Sequence, residues 1–115
     1  MTRAVRTAFD EEWKAAGLAR QAGDFAQAMH HLERAHILGQ RHTRLHVRSH
    51  VGMWLLAREW RDWREALGQI PRIVAAALFS RVWVPHGNTG GANVSAFRPM
   101  PAPDDLAAVL RADER

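Results

Sequence analysis

Four side chains in this sequence have the types and spacing to hold a metal ion: Glu33, His36, His46 and His50. Glu33 and His36 are three residues apart, and His46 and His50 are four apart. On a helix each pair therefore shares a face, with Cβ atoms about 5–6 Å apart. Between the pairs lies Leu38-Gly39-Gln40-Arg41-His42-Thr43, where the chain can turn back. Gly39 is expected to stop the first helix at positive φ, and Thr43 to cap the second. A turn centred near Arg41 sets His36 opposite His46, Glu33 opposite His50 and Met29 opposite Met53 in one antiparallel register. Helices pack about 8–10 Å apart, a gap that suits metal–ligand bonds of roughly 2.0–2.2 Å.

One oxygen and three nitrogens suit Zn(II) best, and Fe(II), Ni(II) or Cu(II) in turn. Met29 and Met53, one turn away, would add soft thioethers for Cu(I). His86 would swing in from a distant loop as a further ligand. The competing reading is a hydrogen-bond network that fixes the helix pair, with both methionines as core filler. A di-iron centre fits less well, because bundle sites of that type use two Glu-x-x-His motifs and only Glu33/His36 matches. Acid–base catalysis by Glu33 and a histidine would need a defined cleft, so an enzyme is the less expected reading.

The elements that must position these groups are helical. Ala8, Phe9, Glu12, Trp13, Ala16 and Ala19 recur at helical period. So do Phe25, Ala28, Met29, Leu32, Ala35 and His36. In the third helix Val47, Val51, Trp54 and Leu55 are expected beside the histidines. Arg41, Arg44 and Arg48 form a separate stripe that should face water and so turn the histidines inward. The pattern predicts an all-α chain forming a single domain. Its helices cover about 4–22, 24–38, 44–59 and 62–83, followed by an irregular stretch over 84–103 and a short helix over 104–111. Pro71 predicts a kink or a break in the fourth helix.

Residues Ala19, Arg20, Asp24, Phe25, Ala28, Leu32 and Arg34 recur 38 positions later as Ala57, Arg58, Asp62, Trp63, Ala66, Ile70 and Arg72. This repeat resembles the tetratricopeptide helical hairpin, whose period is about 34 residues. Two stacked hairpins or a four-helix bundle would satisfy it. On such a scaffold Trp54, Trp60 and Trp63 would anchor a protein partner, which makes an interaction module the alternative to metal binding.

The 115 residues carry a net charge of +4, no cysteine and Lys14 as the only lysine. Absence of cysteine excludes disulfides, thiolate metal sites and cysteine nucleophiles. The arginines alternate with acids, as in Arg58-Glu59, Arg61-Asp62 and Arg64-Glu65, which favours a solvated helix surface over a nucleic-acid interface. The N-terminus lacks a signal-peptide apolar region. The longest apolar run, 73–79, is too short to span a bilayer. A cytoplasmic protein is expected.

The 84–103 stretch holds Gly87-Asn88-Thr89-Gly90-Gly91-Ala92-Asn93-Val94-Ser95 and then Pro99-Met100-Pro101-Ala102-Pro103. It lacks the Lys and Ser/Thr of a phosphate-binding loop, so tight turns are expected rather than an anion nest. Val84, Val94, Phe97 and Met100 would anchor it on the helices. His31-Leu32-Glu33-Arg34-Ala35-His36-Ile37-Leu38-Gly39-Gln40, the spaced His46 and His50, Gly68-Gln69 and this glycine segment together resemble a family of short bacterial proteins known as a domain of unknown function. The resemblance spans nearly the whole chain. It implies that the glycine segment belongs to the fold, and it carries no activity.

Overall fold

The computed structural model describes residues 1–113. Four main helices, α1 (Arg3–Gln21), α2 (Phe25–Gly39), α3 (Thr43–Trp60) and α4 (Trp63–Phe79), are joined by short turns, and α5 (Asp104–Asp113) closes the described chain. Among the described residues every regular element is helical. Each main helix packs on the next, and α5 lies against α1 and α2. No comparable face joins α4 to α1, so the row of helices stays open at α4.

The repeat read from the sequence has a physical basis in its turns. After α1, Gly23 takes φ 78°, the Asp24 amide bonds the Ala19 carbonyl at 2.9 Å, and the Asp24 carboxylate caps α2 through the Gln27 amide at 3.1 Å. After α3, Arg61 takes φ 62°, the Asp62 amide bonds the Ala57 carbonyl at 2.9 Å, and its carboxylate caps α4 through the Glu65 amide at 3.1 Å. The same left-handed stop and aspartate cap therefore begin both second helices.

The turn between α2 and α3 forms differently from the expectation. Gly39 is the last residue of α2 and is not in the positive-φ region. Its missing side chain serves contact instead: a Cβ there would lie 2.6 Å from the Leu45 Cβ and 3.2 Å from the Phe9 ring. His42, not Thr43, is the N-cap of α3, and its side chain makes no capping bond. The His42 ring bonds Asp113 of α5 at 3.1 Å instead.

Ala16, Ala28, Met29, Leu32, Met53 and Leu56 form the main core, with Trp13 packed against it. Ile37, Leu38 and Leu106 form a second cluster under α5. The buried face of α3 runs through Leu45, His46, Ser49, His50 and Met53. Leu55, expected on that face, is exposed, and Val47, Val51 and Trp54 are half-buried. The arginine stripe does face outward: Arg41, Arg44 and Arg48 are exposed, and the Arg48 guanidinium sits 4.4 Å from the centre of the Trp13 ring.

Helix α4 runs unbroken through Pro71, which is exposed, and ends at Phe79 rather than at 83. The segment that follows is held by polar groups. Asn88, 1% exposed, donates to the Ser95 and Arg98 carbonyls at 2.8 and 2.7 Å and accepts from the Gly90 amide at 2.8 Å. Gln40 bridges the Pro85 carbonyl and the Gly87 amide, both at 3.0 Å. Phe97, expected as an apolar anchor, is 76% exposed.

Candidate metal centre

Helices α2 and α3 bring His36, His46 and His50 to one point. The three rings are buried, and one nitrogen from each lies within 4.8 Å of the others. The Nε2 atoms of His36 and His50 are each 3.1 Å from Nε2 of His46. Nitrogens bound tetrahedrally to one zinc at about 2.05 Å would stand roughly 3.3 Å apart.

The outer nitrogens decide the protonation pattern. Nδ1 of His36 lies 2.7 Å from the Asn88 carbonyl oxygen, which can only accept. Nδ1 of His50 lies 2.6 Å from Gln69 Oε1. That amide is oriented by its own Nε2, which donates to Glu65 Oε1 at 3.2 Å and to the Gly90 carbonyl at 2.9 Å. Nδ1 of His46 lies 2.7 Å from Ser80 Oγ, and Ser80 donates its hydroxyl hydrogen to the Ala76 carbonyl. Each Nδ1 therefore carries the hydrogen, and each neutral ring presents an Nε2 lone pair inward.

Burial and mutual proximity keep the rings neutral. His36 is pushed well below the ordinary value of 6.5 by burial, then by His50 and His46. His46 falls to about 3, from burial and then from the proximity of His50, whose proton would compete with its own. His50 falls to about 4, chiefly from burial, against a raising bond from Gln69. Three acceptor nitrogens thus face one another with no proton between them. Such a converging set of lone pairs could hold a metal ion.

Gly90 makes the closest backbone approach. It takes φ 81°, and a Cβ there would lie 2.7–2.8 Å from the His36 ring. The glycine segment thereby covers one side of the trio. Another side opens into a cleft of about 520 Å³.

The remaining sequence candidates lie elsewhere. Glu33 is half-buried and is not in the converging group. Its carboxyl is raised to about 7 by burial and by the nearby Glu65 charge. Met29 and Met53 are both in the main core. His86 is exposed, and its backbone carbonyl accepts from the Met100 amide at 2.8 Å. Ser80, Gln69 and the Asn88 carbonyl, which set the three tautomers, were not among the sequence candidates. Each is 19 to 52 residues from the ring it holds, and only Gln69 and Asn88 fell within motifs singled out for the family resemblance.

No helix among the described residues is long and apolar enough to cross a membrane. No curated protein and no solved structure matches the chain. One family model does, over residues 3–110, and it takes in both histidine helices and the glycine segment. The chain accordingly belongs to the family described as Protein of unknown function (DUF3703).

Proposed function

We propose that this protein binds one divalent transition-metal ion through Nε2 of His36, His46 and His50. The observation that carries the reading is the inward convergence of three lone pairs whose Nδ1 hydrogens are all committed to other acceptors. Metal-ligating histidines characteristically donate their other ring hydrogen to a carbonyl, carboxylate or amide oxygen, which fixes the ring and raises its basicity. Three imidazoles suit Zn(II) first, with Cu, Ni and Fe as the other candidates. A three-histidine set leaves a coordination position for an exchangeable ligand, and here that position would face the cleft. Glu33, the oxygen ligand expected from spacing, has no part in this set.

The test is elemental analysis of untagged protein. About one metal ion per chain is expected, lost in the double variant His46→Ala, His50→Ala. Loading that survives both substitutions would overturn the reading. Ser80→Ala and Gln69→Ala should each keep the ligands but weaken metal affinity by roughly 10–100-fold.

A second reading, a helical interaction module of tetratricopeptide type, draws on the outward face of α4. Trp63, Leu67, Ile70, Val74 and Leu78 lie at helical spacing along it, and each is about half exposed or more. Natural monomers rarely leave so continuous an apolar face bare.

A further inference from the structure

The cleft beside the histidine trio has its own chemical character. Its walls are mainly apolar, and Phe79, Val82, Trp83 and Phe97 stand exposed around it. Its one charged side chain is Arg72, and no aspartate or glutamate lines it. The Arg72 guanidinium is fixed by the Gly68 and Val94 carbonyls at 2.9 and 2.8 Å. Among the described residues no carboxylate pairs with it, and its Nε hydrogen has no acceptor. A guanidinium is always charged and is shaped to hold a carboxylate. Partly exposed at the cleft and without a protein carboxylate beside it, this one is open to an anionic ligand. A volume of about 520 Å³ lies within the range of small-molecule sites.

We propose that this cleft binds a small organic acid, its carboxylate beside Arg72 and the histidine trio and its hydrocarbon body against Phe79, Trp83 and Phe97. The proposal rests on the metal reading in one respect: with metal bound, the carboxylate would take the exchangeable coordination position. Two features define the ligand class, a single negative charge at the deep end and an apolar body toward the mouth. Short acids would lose the second contribution and neutral alcohols the first.

Hexanoate is a suitable probe, with acetate and 1-hexanol as controls, titrated by calorimetry into zinc-treated and metal-free full-length protein. Saturable hexanoate binding is expected, with acetate and hexanol each at least tenfold weaker. Arg72→Gln should weaken hexanoate at least tenfold while metal content stays unchanged. Because Arg72 also holds the Val94 carbonyl, Ala75→Trp provides a second variant. It adds bulk to the cleft wall from an exposed position and should abolish binding with the fold intact by circular dichroism. Protein that loads zinc but does not bind hexanoate would overturn the cleft proposal and leave the metal reading standing. Protein that takes no metal yet binds hexanoate in an Arg72-dependent way would do the reverse. Equal binding of hexanol, or full hexanoate binding by both variants, would also overturn the cleft proposal.

Discussion

At the scale of single residues, the trio shows how hydrogen positions fix the direction of a lone pair. Each outer acceptor removes one freedom from an imidazole, and three such choices point the lone pairs at one spot. The same burial makes the metal-free protein acid-sensitive, and the sign follows from the lowered values. In the unfolded chain these histidines take protons near 6.5, whereas in the fold His50 does so near 4 and His46 near 3. As pH falls below about 6.5 the unfolded state gains protons first, so stability declines until the native rings titrate. Three such groups at about 1.4 kcal/mol per pH unit each set a ceiling of about 4 kcal/mol per unit. Glu33 acts oppositely: raised from 4.5 to about 7, its contribution is complete below 4.5 and lost as pH rises through 7. Thermal melts of metal-free protein should therefore show a lower midpoint at pH 5 than at pH 7. Glu33→Gln should raise the midpoint at pH 8 and leave it unchanged at pH 4. A flat profile between pH 7 and pH 5 would contradict the buried neutral trio. Spacing alone placed His36, His46 and His50 together, because all three lie on two consecutive helices. Glu33 is not in the converging group, and His36 is the α2 residue that meets His50.

At the scale of elements, the local signals that proved readable were those settled within four or five residues. Asp24 and Asp62, matched in the repeat, each cap the helix that follows through an amide three residues on. Gly39 did not behave as a local stop, because Leu45 and Phe9 crowd it from other elements. The end of α4 was likewise decided by tertiary contact: Ser80 is its C-cap and is buried against His46. The repeated turn yields a prediction of its own. Gly23 occupies the left-handed position at no steric cost, whereas Arg61 holds the equivalent conformation with a full side chain. Such a residue costs about 1 kcal/mol or somewhat more relative to glycine. Arg61→Gly should raise stability by about 1 kcal/mol in urea unfolding, with metal content unaltered. A neutral or destabilising result would mean that the Arg61 side chain makes compensating contacts.

At the scale of the whole molecule, the open row of helices leaves α4 as an edge with one packed side and one bare side. On the interaction reading, a second copy of the chain is the simplest cover for the bare side. Leu67→Glu with Val74→Glu should change stability little, because the two positions are 68% and 55% exposed. Light scattering should show wild-type mass above the monomer falling to the monomer in this variant. A monomeric wild type at high concentration would remove that reading. The fold class was legible because helical period and turn chemistry recur along the chain. The docking of residues 80–103 was not, because it depends on Gln40, Glu65 and Arg72 meeting backbone groups of that segment across the fold. One consequence concerns how the chain divides its labour. The three converging Nε2 atoms all come from the α2–α3 hairpin, while every acceptor that orients their rings comes from residues 69 to 88. A fragment ending at Trp60 would keep all three imidazoles yet be free to exchange either ring nitrogen. Completion of the downstream chain is thus what turns a pair of histidine-bearing helices into a site with a single donor face.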